Sequence, residues 1–216
     1  MRSAFFLSAV AALLTACADD SGTPLPTPLT TPTPPAQAVT IYVLRPSQVP
    51  GYTRTAERTL NAGAVADAKN DASLARRLTG EGFIHAATAA FAPPPNVADP
   101  PFTDVNSDAL LFADVAGASA YYREEANRID TAPVGGSLDA LGGLPSHHVD
   151  AMLAFASSQP PRTGDQVDRA FITLMRTGRV VTEIFARGAS PATTTAAAFL
   201  PLVTAEQQLL ARSPNG

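Results

Sequence analysis

The segment DRAFITLMRTGRVVTEIFARG, residues 168–188, restricts the fold more than any other part of the chain. Two runs rich in β-branched and aromatic residues meet at Thr177-Gly178, which predicts a β-hairpin. Successive side chains alternate across a strand, so Phe171 and Met175 point one way while Ile172 and Leu174 point the other. Both faces are therefore apolar, and water has to be excluded from both. A hairpin of this kind belongs in the middle of a sheet covered on two sides.

The rest of the chain supplies the neighbours and the covers. VTIYVL (39–44) reads as a strand, RPSQVPGY (45–52) as a turn, and residues 52–60 as a second extended piece. Residues 61–69 and 71–78 read as two short helices, the second capped by Asp71 and stopped by Gly80 and Gly82. GFIHAATAAF (82–91) reads as a strand, and the proline clusters at 93–95 and 100–101 as an exposed loop. SDALLFAD (107–114) has the look of a buried strand. Asp114 then caps a helix over 115–129, with Val115, Ala118, Tyr122, Ala126 and Ile129 as its apolar stripe and Glu124 pairing with Arg128 outside. Tyr121, with Arg123, could form a ligand-contacting edge, although helix packing is its default role.

A glycine-rich loop (133–145) leads to HHVDAMLAFAS (147–157), a strand with Val149, Ala151, Leu153 and Phe155 on one face. Ser190 as N-cap and Pro191 at the first helical position start a last helix reaching Leu210, kinked at Pro201. Hairpin links with flanking helices make the fold class α+β: an antiparallel sheet with helices packed on it.

Composition removes several functions. The 216 residues are 45% hydrophobic and carry a formal charge of −4, with Lys69 the lone lysine and no basic block. A nucleic-acid partner lacks the electrostatic footprint it needs. The single cysteine excludes an internal disulfide and any multi-thiolate zinc site. Gly135-Gly136 and Gly142-Gly143 match neither the dinucleotide pattern nor a P-loop, a serine-nucleophile elbow is missing, and no cofactor is expected.

That cysteine, Cys17, follows a positive start at Arg2 and an apolar run from Ala4 to Leu14 that falls short of the roughly 20 residues needed to span a bilayer. Leu14-Thr15-Ala16-Cys17 resembles the lipobox of bacterial lipoproteins. The resemblance implies a signal peptide over 1–16, recognised through Leu14, Thr15 and Ala16 and cleaved before Cys17, whose thiol carries diacylglycerol. It also implies an extracytoplasmic protein held to the cell membrane or outer envelope. Residues 17–38 continue as a Pro/Thr-rich tether, which favours extended polyproline II and cannot join a sheet. The folded domain is expected over 39–213.

Within that domain LLFADVAGASAYY, the GRVV hairpin and the C-terminal helix resemble the PsbP/Mog1-like extracytoplasmic lipoproteins. That likeness implies binding of a partner protein or an apolar or envelope ligand, without catalysis. Two alternatives stay open. A hydrolase site could be assembled from distant residues, with His85 near a carboxylate. The HHVD segment could hold a metal through His148, Asp150 and a distant third ligand such as His85, a nitrogen and oxygen set suited to zinc. Asp104, Asp108, Asp114, Glu124 and Glu125 read as caps and solvated helix faces.

Overall fold

The computed structural model describes residues 36–131, 137–142, 144, 146–158, 169–188 and 190–212, which form one compact unit. Leu14, Thr15, Ala16, Cys17 and the tether as far as residue 35 lie outside the described residues. Seven strands build one antiparallel sheet: β1 (Thr53–Leu60), β2 (Phe83–Ala92), β3 (Asp104–Phe112), β4 (Ser137–Ala140), β5 (Ala151–Ser158), β6 (Arg169–Thr177) and β7 (Val180–Gly188). Their spatial order is β1-β2-β3-β7-β6-β5-β4. The predicted hairpin is β6–β7, and it lies inside the sheet between β3 and β5.

Its two apolar faces each meet a separate layer. On one side α4 (Ala196–Ala211) and the N-terminal segment cover Phe171, Met175 and Ile184. There Phe171 stacks on Phe199 at 5.2 Å, and Phe102 meets both rings edge-on. On the other side α1 (Ala62–Ala68), α2 (Leu74–Gly80) and α3 (Val115–Thr131) cover Leu110, Leu174, Val181 and Phe155. The two edge strands are blunted. β1 is exposed along most of its length, carries an Arg54–Glu57 ion pair and has a register shift after Arg54, while β4 is four residues long. Each device discourages pairing with a second chain.

Several elements differ from the sequence expectation. Residues 39–44 are not a strand. A 3-10 turn occupies Ala36–Tyr42, with Val39, Tyr42, Val43 and Leu44 buried and Ile41 exposed. The burial repeats every three to four residues, and the Leu44 amide donates to the Ser107 hydroxyl instead of a ladder. Ser73, not Asp71, precedes α2; the Asp71 carboxylate accepts from the Ser73 amide and hydroxyl in a local turn.

Ser190-Pro191 does not open the last helix. Thr194 donates to the Pro101 carbonyl and Thr193 to that of Pro100, holding the chain against the 100–101 loop, so α4 starts one turn later with Thr195 as its cap. It then runs through Pro201. β4 formed within the stretch expected to be a glycine-rich loop, and β5 begins at Ala151 because 147–150 is a turn with His148 at φ +62°. In α3, Glu124 reaches Arg77 of α2, and Arg128 binds Glu125 instead. Val115 is 51% exposed, so the buried stripe of α3 begins at Ala118.

Candidate functional site

The residues singled out in the sequence do not assemble. His85 is buried in β2 beside Leu111, whereas His148 and Asp150 lie in the turn before β5. Three strands separate β2 from β5, a span of roughly 19 Å at the usual inter-strand spacing. Asp150 has a structural task there, accepting from Arg176 at 3.0 Å and from the Gly178 amide at 2.8 Å across the hairpin end. Among the described residues no group of three His, Cys, Asp or Glu side chains can hold a metal ion. Tyr121 is not a free edge either. It is more buried than Tyr122, at 3% against 9% exposed, and its ring packs on Phe112.

What the fold does assemble is a charged cluster beside a groove on the α1–α3 side of the sheet. Alternation along β3 sends Asn106, Asp108 and Leu110 to that face and Ser107 and Ala109 to the other. Register places Glu183 of β7 directly opposite Asp108. Lys69 closes α1 as its C-terminal cap and extends over the sheet. Its ammonium lies 2.7 Å from Glu183 and 3.0 Å from Glu125 of α3, which Arg128 also binds at 2.8 Å. The groove beside them has a volume of about 330 Å³. Leu60, Val65, Leu110 and Phe185 supply apolar wall, and Lys69, Asp108, Glu183, Thr88 and Asn106 polar wall.

Burial and partners set the charge states. Burial opposes the Lys69 charge, but Glu183, Tyr121 and Glu125 outweigh it and hold the ammonium well above its ordinary value. Burial likewise opposes ionisation of Glu125, yet the Arg128 hydrogen bond and the Lys69 charge lower it to about 2. Asp108 goes the other way. Burial first, then the Glu183 carboxylate, push it up to about 6 against a hydrogen bond from Thr88. The Tyr121 hydroxyl, raised by burial, has no hydrogen-bond partner among the described residues.

Across the sheet a second acid is buried. Glu206 of α4 is fully enclosed, with Ser107 donating to it at 3.1 Å. Burial pushes its carboxyl well above the ordinary range. The same Ser107 oxygen takes the Leu44 amide, so one hydroxyl joins the N-terminal segment, β3 and α4. This arrangement fastens layers together, and neither Glu206 nor Ser107 is a groove-lining residue.

No family model matches the sequence, and neither does any curated protein. Among solved structures, the fold is similar to that of the extracellular domain of PknH from Mycobacterium tuberculosis. The TM-score is 0.52 over 80% of this chain and 96% of that one, at 12% sequence identity. The likeness concerns the fold: a seven-stranded antiparallel α+β domain. Among the described residues no helix is long and apolar enough to cross a membrane.

Proposed function

We propose that the chain is an extracytoplasmic lipoprotein whose folded domain binds a small, largely apolar ligand without catalysing a reaction. The observation that carries the binding role is the groove beside Lys69, apolar on most sides and bordered by a few convergent polar groups. This is the composition of a ligand site, and its volume falls at the small end of the roughly 300–1,000 Å³ typical of such sites. His85, the residue a hydrolase reading would need, is not among the groove-lining residues. The extracytoplasmic address is supported by Leu14-Thr15-Ala16-Cys17 and by a structural neighbour that is itself described as an extracellular domain. The Pro/Thr-rich composition of residues 17–38 suits a spacer between Cys17 and the domain.

Anchor and groove are tested separately. Metabolic labelling with a radioactive fatty acid is expected to mark the wild type and not Cys17→Ala, which leaves the membrane fraction. Label retained by the variant sinks the anchor. Native mass spectrometry of the gently purified chain is expected to show the added mass of a small molecule. Ala68→Trp, at an exposed position of α1 on the groove wall, is expected to lose that mass while keeping its circular dichroism spectrum. A bare mass for the wild type would remove the binding role.

A further inference from the structure

We infer that the groove selects a ligand carrying one ammonium-type cation on a compact apolar body; this rests on the groove being the binding site, as proposed above. Charges within the cluster do not balance. Lys69 and Arg128 are matched by Glu125 and Glu183 through contacts of 3.0 Å or less. That leaves Asp108 over. It lines the groove, sits in register with the Glu183 carboxylate, and forms no ion pair among the described residues. Like charges directly opposite on paired strands repel, and the one nearby ammonium is already held by two other carboxylates.

Behind the groove wall, the Tyr121 hydroxyl, 3% exposed and without a hydrogen-bond partner among the described residues, lies in the field of Lys69, Glu125, Glu183 and Asp108. The groove wall thus holds an excess carboxylate, which a donor cation complements and an anion does not. The apolar wall from Leu60, Val65, Leu110 and Phe185 fits the body of such a ligand. Arg128 and Lys69 are both engaged with Glu125, which is 2% exposed, so drawing either toward an anionic headgroup costs that buried carboxylate one of its two cations.

The probes are n-octylammonium, 1-octanol and n-octanoate, titrated calorimetrically into the mature chain at pH 7.5 and low salt. Octylammonium is expected to bind at least tenfold tighter than octanol, with octanoate weakest. The groups facing Asp108 are Thr88 from β2, Glu183 from β7, Lys69 from α1, Tyr121 of α3 and, through the sheet, Glu206 from α4. Because Asp108 ionises near 6, the preference for octylammonium is expected to shrink at pH 5. Asp108→Asn is expected to equalise octylammonium and octanol. Octanoate binding as tightly as octylammonium overturns the inference, as does a preference unchanged in Asp108→Asn and at pH 5. Three probes that bind equally, and lose binding in Ala68→Trp, preserve the groove and overturn only its charge selectivity. Binding of no probe, or binding indifferent to Ala68→Trp, overturns both.

Discussion

Replacing Lys69 with methionine is expected to lower the unfolding free energy at pH 7 by about 3–5 kcal/mol, the usual cost of removing one partner from a buried ion pair. The side chains involved are well shielded: Lys69 is 17% exposed, Glu183 14% and Glu125 2%. Methionine keeps most of the aliphatic stem, so the loss reports on charge more than on packing. The pH dependence separates this from a simple packing defect. Lys69 titrates above its ordinary value in the folded chain, so its stabilisation is complete below about 10.5 and is lost as pH climbs through the higher folded value. Glu125 titrates at about 2, so its stabilisation is present above the ordinary carboxylate range and is lost as pH falls toward about 2. In the variant both carboxylates lose a cation, and the buried Glu125 keeps only Arg128 and ionises at greater cost. The gap between wild type and variant is therefore expected to widen from pH 4 to pH 7 in urea denaturation. A loss below about 1 kcal/mol, flat with pH, would show the cluster to be screened like a surface pair.

How much of this arrangement could be read from the sequence depends on how local its causes are. The β6–β7 hairpin was legible because one run shows both the turn at Gly178 and apolar residues on both faces. Asn61 and Asp114 were legible as helix starts because a cap acts over three residues, and each side chain does accept from the amide three positions on. Two of the failures have a different cause. Val39–Leu44 has strand composition, yet its fate was decided by Ser107, 63 residues away, which takes the Leu44 amide. Ser190-Pro191 is a sound helix start in isolation, but Thr193 and Thr194 were claimed by carbonyls 93 residues earlier. The charged cluster was the least legible feature, since Lys69 meets Glu183 across 114 positions. Two signals did point to it. Lys69 is the lone lysine among fourteen arginines in this chain, and Asp108 interrupts an otherwise apolar strand. Neither reveals the partner, because pairing across β3 and β7 is a matter of register.

Gly117→Ala is expected to destabilise the domain by about 2–3 kcal/mol, toward the upper end of the range for overpacking. Taken from helix propensity alone, the substitution should gain about 1 kcal/mol. Tertiary packing reverses the sign. Gly117 lies in the first turn of α3, where its amide donates to Asp114 at 2.8 Å, and an added methyl would land on the Glu81 carbonyl at the end of α2. That neighbour is backbone and cannot swing aside as a side chain could. Gly63 of α1 is the matched control: a methyl there meets only Asn61 Oδ1 at 3.5 Å, an ordinary contact. Gly63→Ala is accordingly expected to be neutral or stabilising by up to about 1 kcal/mol. Opposite signs in urea denaturation support the close α2–α3 approach, and two variants of the same sign refute it. The displacement also reaches the charged cluster, because α3 carries Tyr121 one turn and Glu125 two turns further on. Lifting the first turn of α3 draws Glu125 from Lys69, so part of the Gly117→Ala loss is the loss already suffered by Lys69→Met. The double variant is therefore expected to fall short of the sum of the singles by more than the 0.3–0.5 kcal/mol scatter of about-additive distant sites. Strict additivity would mean that the α2–α3 contact and the charged cluster are independent, and that α3 bends locally instead of moving as a rigid element.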